Sequence, residues 1–142
     1  TGTALVLVDD APALLHALSF AFETEGYDVR AFADAESLLA DAEAHHVSLC
    51  LVLDQKLPGM SGLALLTALR ARNVAAPAIL ITSNPTAALR RAARAAGVEI
   101  VEKPLLDGVH HIADAVGVEE EAINDRGHSH GDDDAGRFAF EL

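Results

Sequence analysis

The chain has 142 residues, 51% of them hydrophobic, and a formal net charge of −12. That length suits one domain with a real core, and the acidic balance excludes direct nucleic-acid binding, which needs basic groups against phosphate. A single cysteine, Cys50, leaves no disulfide framework, and no apolar run approaches the ~20 residues of a bilayer span, so a soluble, cytoplasmic protein without a membrane partner is expected.

The apolar run at 4–8 is short and continuous, the pattern of a buried parallel strand. Pro12 suits the first turn of a helix, along which Leu14, Leu18 and Phe22 recur until Gly26 stops it. Residues 28–32 form a more polar strand, placed at a sheet edge. Asp34 is positioned to cap a second helix over 35–44. A third strand at 49–53 contains Cys50, read as a buried structural thiol. A turn-rich loop from Lys56 to Gly62 follows. The third helix then turns Leu63, Leu66 and Leu69 inward, and residues 73–77 return the chain. A fourth strand at 78–81 precedes a fourth helix, capped by Thr86 and closed by Gly97, with an inward stripe of Leu89, Ala92, Ala93 and Ala96. A fifth strand at 98–102 leads to Lys103 and Pro104, and a fifth helix is expected over 107–116 with Val109, Ile112 and Val116 inward. This (βα)5 alternation with right-handed crossovers predicts an α/β fold, a doubly wound five-stranded parallel sheet.

Residues 1–118 read as one domain and 119–142 as an acidic tail. The tail holds eight acids and two arginines, so half of the excess charge lies there. Glu119, Glu120 and Glu121 extend the fifth helix or open the tail, and 124–136 has linker composition. Phe138, Phe140 and Leu142 alternate with polar residues, as in a terminal strand or docking segment, though a disordered end fits equally. The adjacent pairs His45-His46 and His110-His111 do not share a helix face and make poor metal sites.

Asp9-Asp10, Asp54, Thr82 and Lys103 each stand at or just past a strand's carboxyl end, where open α/β sheets hold ligands. Three carboxylates, one hydroxyl and one ammonium converging there suit a hard cation and a phosphoryl group. Each has a plainer reading. Asp9-Asp10 would cap a helix, Asp54 would serve a turn, Thr82 would cap the next helix, and Lys103-Pro104 would be loop. These would all have to hold together, at four strand ends in order. Lys56 and Lys103, the two lysines of the chain, both fall beside the site.

Four motifs carry a resemblance: Val6-Leu7-Val8-Asp9-Asp10; Val52-Leu53-Asp54 followed by Leu57-Pro58-Gly59-Met60-Ser61-Gly62; Ile81-Thr82-Ser83; and Glu102-Lys103-Pro104. Over residues 4 to about 116 the chain resembles the receiver domain of response regulators in two-component signalling, especially receiver halves of helix-turn-helix transcription factors. The resemblance implies the flavodoxin-like receiver fold, with Asp54 as phosphoacceptor. It also implies a Mg²⁺ (or Mn²⁺) ion held by Asp9, Asp10, Asp54 and the backbone carbonyl of Lys56, with Lys103 and Thr82 on phosphoryl oxygens and a cis Lys103–Pro104 bond. The implied partner is a histidine kinase or histidine phosphotransfer protein docking near Pro12, Leu14, Leu15 and Pro58. The resemblance also implies output and homodimerisation through helix four, strand five and helix five. There Arg90, Arg91 and Arg94 with Asp107, Asp114 and Glu119 read either as complementary charge across a two-fold contact or as a solvated helix face. The chain departs from the family at Ile100, where an aromatic is usual; an isoleucine has no ring to swing and a stiff χ1.

Two other classes compete. A phosphatase with an aspartate nucleophile generally needs a second aspartate two residues on, and Lys56 stands there. A receiver-fold binding module that is never phosphorylated would not need the intact site. The side chain of Lys56 either contacts the phosphoryl group or a carboxylate, or is solvated.

Overall fold

The computed structural model describes residues 3–104. Five parallel strands, β1 (Ala4–Val8), β2 (Asp28–Phe32), β3 (Ser48–Asp54), β4 (Ala78–Thr82) and β5 (Glu99–Glu102), form one sheet in the order β2-β1-β3-β4-β5. The expected edge strand, β2, is at the edge.

The sheet is buried on both sides because its strands alternate between two apolar layers. Leu5, Leu7, Cys50, Val52, Ile79 and Ile81 meet α1 (Pro12–Thr24) through Leu18, Ala21 and Phe22. Val6, Val8, Leu51, Leu53 and Leu80 meet the opposite helices α2 (Ala35–Leu39), α3 (Ala42–Val47), α4 (Gly62–Ala71) and α5 (Ala87–Ala96). Helices on both faces make the sheet doubly wound, as the alternation predicts. The helix expected over 107–116 and the tail expected at 119–142 fall on positions outside the described residues.

The caps at Asp34 and Thr86 form as expected, accepting from the backbone N–H of Ser37 and Leu89, and Gly97 ends α5 in the left-handed region. Three expectations are corrected. The helix over 35–44 is two short helices, because the Asp41 carboxylate takes the N–H of Ala44 and starts a new one. On α5 only Ala93 is buried; Leu89 is half-buried, and Ala92 and Ala96 are exposed. On α4 the inward set is Leu65, Leu66 and Leu69, with Leu63 half-buried.

Candidate functional site

The parallel register assembles the site. Val8 pairs with Leu53, so Asp9 and Asp54 stand side by side at the carboxyl edge. Thr82 pairs with Glu102, and the N–H of Lys103 donates to the Thr82 carbonyl at 2.9 Å. The ammonium of Lys103 reaches across the end of β4 and lies 3.3 Å from Asp54 Oδ1 and 3.5 Å from Asp9 Oδ2. The Lys103–Pro104 bond is cis.

Asp9 and Asp54 are 2% and 3% exposed, while Asp10 is exposed. One oxygen from each of the three carboxylates falls within 4.8 Å of the others. At an effective dielectric of 20, unit charges that close repel by about 3–4 kcal/mol, and one ammonium does not neutralise three carboxylates. Burial first, and then the charge of Asp9, push the Asp54 carboxyl above the ordinary carboxylate value; Lys103 and the Lys56 backbone N–H pull it back.

Two of the plainer readings, a helix cap at Asp9-Asp10 and one at Thr82, are not met. Asp9 Oδ1 accepts the N–H of Ala11 at 2.8 Å, but α1 has no side-chain cap. Thr82 Oγ1 accepts the N–H of Asn84 at 3.2 Å, and α5 is capped by Thr86 instead. Asp9 Oδ2 is buried and has no hydrogen bond. Its charged neighbour is the Lys103 ammonium at 3.5 Å, too poorly aligned to count as a hydrogen bond, so the oxygen retains capacity to ligate a cation. An all-oxygen set of carboxylates fits Mg²⁺ or Mn²⁺ better than a soft metal.

A cleft of about 470 Å³ opens over these groups, lined by Asp10, Asp54, Lys56, Thr82, Lys103 and the start of α5. Lys56 is exposed on its wall, and its ammonium makes no ion pair among the described residues, so of the readings open for it pairing with a carboxylate is not seen. Ile100 is half-buried and, with Leu89, packs against the apolar layer beneath α5. The residue missed from sequence is Gln55, and Gly62, named there only within the loop motif, had no role assigned; together they join the acceptor strand to α4. The glycine following a capping serine was a signal for Gly62; nothing local marked Gln55.

Three acids and a lysine gathered at the carboxyl edge of a 2-1-3-4-5 sheet define the class, a phosphoaspartate receiver of two-component signalling. The sequence matches the response regulator receiver domain family over residues 5–114, and the chain belongs to that family. It is 36% identical over 111 residues to the C4-dicarboxylate transport transcriptional regulatory protein DctR of Rhodobacter capsulatus, covering 76% of this chain and 55% of that protein. It is 36% identical over 101 residues to the probable transcriptional regulatory protein TcrX of Mycobacterium tuberculosis, covering 70% and 43%. The chain thus spans about half the length of the curated relatives it matches. Among solved structures, the response regulator DrrB of Thermotoga maritima superposes with a TM-score of 0.64 at 26% identity, over 73% of this chain and 46% of that one. A receiver domain from Methanospirillum hungatei shares the fold, with a TM-score of 0.71 at 23% identity over 89% and 97% of the two chains. The family is one of receiver domains rather than of enzymes turning over a separate substrate. Among the described residues no helix is long and apolar enough to cross a membrane.

Proposed function

We propose that Asp54 accepts a phosphoryl group from the phosphohistidine of a histidine kinase or histidine phosphotransfer protein, and that the acyl phosphate switches protein–protein contacts. The observation that carries this reading is the buried Asp54 carboxylate, 3.3 Å from the Lys103 ammonium and clustered with the carboxylates of Asp9 and Asp10.

An Asp54 carboxylate oxygen attacks phosphorus in line, the P–N bond breaks, and the imidazole leaves with the electron pair. Lys103 meets a phosphoryl oxygen as a point charge, and the Thr82 hydroxyl donates to another. Asp9, Asp10, Asp54 and the Lys56 carbonyl are the groups that would hold Mg²⁺ or Mn²⁺, which when bound would supply positive charge to offset the repulsion between the carboxylate and the incoming phosphoryl group. The receiver unit is taken as residues 1–118, supported by the family match ending at residue 114. A cytoplasmic setting fits exchange with a kinase. Pro12 and Pro58 are exposed, with Leu14 and Leu15 half-buried beside them, which supports docking there. The exposed Arg90, Arg91 and Arg94 on α5 support the two-fold contact.

Intact-protein mass after incubation with an acyl phosphate and Mg²⁺ tests the assignment. One added phosphoryl group, absent without Mg²⁺ and absent in Asp54→Asn, is expected. Uptake by Asp54→Asn, or none by the native chain from either an acyl phosphate or a phosphohistidine protein, would overturn it. Multiple turnover of a phosphate ester would instead favour a phosphatase.

A further inference from the structure

Gln55, the residue after Asp54, is tied to the start of α4 at two points. Its side-chain Oε1 accepts the N–H of Leu63 at 2.9 Å, and its carbonyl accepts the N–H of Gly62 at 2.9 Å. Its own N–H donates to the Ile81 carbonyl on β4 at 2.9 Å. The peptide that carries the Asp54 carboxylate is therefore held between β4 and the first turn of α4.

Capping alone does not account for this. The N–H of Ala64 in the same turn already goes to the Ser61 hydroxyl at 3.1 Å. Serine is a preferred cap, whereas a glutamine reaching across eight residues joins two elements. The approach is also tight, since a Cβ on Gly62 would lie 3.1 Å from the Gln55 Cα. Loss of the Gln55 side-chain acceptor would leave the main-chain bond from Gly62 as the remaining tie to the start of α4, loosening the turn from Asp54 to Lys56. The Lys56 N–H lies within that turn and helps to lower the Asp54 carboxyl against the effect of burial.

We infer that Gln55 is a positioning residue, holding the turn after Asp54 against the α4 N-terminus so that the carboxylate meets a phosphoryl group in line. The inference rests on the reading of Asp54 as phosphoacceptor. Gln55 acts through that main chain and does not need to touch the donor.

The test compares the full native chain with Gln55→Leu, which removes the acceptor at similar size, and Ser61→Ala, which removes only the second cap of α4. Gln55→Met, unbranched and of similar length, is read the same way should Gln55→Leu fold poorly. Saturation kinetics with an acyl phosphate separate the maximal rate from the donor KM, and a Mg²⁺ titration reads the acceptor turn without any donor. Gln55→Leu is expected to lower the maximal rate about tenfold with the donor KM unchanged, within the range that small misplacements cost. It should also weaken Mg²⁺ binding severalfold, while Ser61→Ala alters neither by more than about twofold. Equal effects of the two substitutions, or none from Gln55→Leu, would overturn the inference. If the native chain takes up no phosphoryl group, the acceptor reading fails by itself. The role of Gln55 is then decided by Mg²⁺ affinity: a loss confined to the Gln55 variants sustains it, and parity with Ser61→Ala ends it.

Discussion

A Cβ on Gly62 would stand 2.5 Å from the Asp54 carbonyl oxygen and 3.0 Å from its carbonyl carbon. The first turn of α4 lies directly on the main chain of the candidate phosphoacceptor, and only a residue without a side chain permits that approach. Gly62→Ala should lower stability by about 1–3 kcal/mol, as overpacking generally does. It should also slow phosphorylation, because backbone rather than a flexible side chain must give way. Urea denaturation and phosphorylation kinetics check both effects.

Asp54 carries a pH dependence whose sign follows from its environment. Its carboxyl is raised above 3.8 in the fold, chiefly by burial and then by Asp9. Between the unfolded and folded values the folded chain binds more protons, so stability falls as pH rises through that window. In the presence of a chelator, Asp54→Asn should therefore be more stable than the native chain at neutral pH. The gain should vanish once the pH is below the unfolded value. Denaturation midpoints across that range check it; equal midpoints at neutral pH would contradict the electrostatic account.

Asp10 is exposed and makes no ion pair among the described residues. Asp10→Ala removes one of three crowded carboxylates, so metal-free stability should equal or exceed that of the native chain. A ligand at 100 times its Kd adds about 2.7 kcal/mol to a native fold, and the variant should lose most of that increment with Mg²⁺. Thermal melts with and without Mg²⁺ decide it.

Lys56 lines the cleft with its ammonium unpaired among the described residues. A cation at the mouth of the site attracts the acyl phosphate by about 1 kcal/mol in high dielectric, so Lys56→Ala should shorten the phosphoryl half-life about fivefold. Following decay of the phosphorylated mass after donor removal measures it, and an unchanged half-life leaves Lys56 a solvated residue contributing its carbonyl.

Cys50 lies in the apolar layer under α1, and burial pushes its thiol up to about 12. With little thiolate at ordinary pH, alkylation should proceed only through opening of the core. Native buffer should give negligible labelling and denaturant complete labelling, read by mass.

Much of this was legible in order and type. Strand ends carrying Asp9, Asp54, Thr82 and Lys103 announced the site, and Asp34, Thr86 and Gly97 announced their caps. The break after Leu39 was not legible, because Asp41 fits a helix interior poorly but can be carried there, and only its bond to Ala44 shows that it restarts one. The burial of α5 was misread for a related reason. Alanines constrain the rotation of a helix weakly, so contacts of Leu89 and Ala93 with the layer beneath decided which face turned in.

Composition and periodicity determined the five strands, their alternation with helices, and which polar residues stand at strand ends, because those depend on neighbours along the chain. The tertiary structure alone decided that the Lys103 ammonium bridges Asp54 and Asp9, that Asp9 Oδ2 is left without a hydrogen bond, and that Gln55 and Gly62 lock α4 to the acceptor strand. Those facts are distances between strands and helices, set by sheet register and packing, and no local pattern contains them.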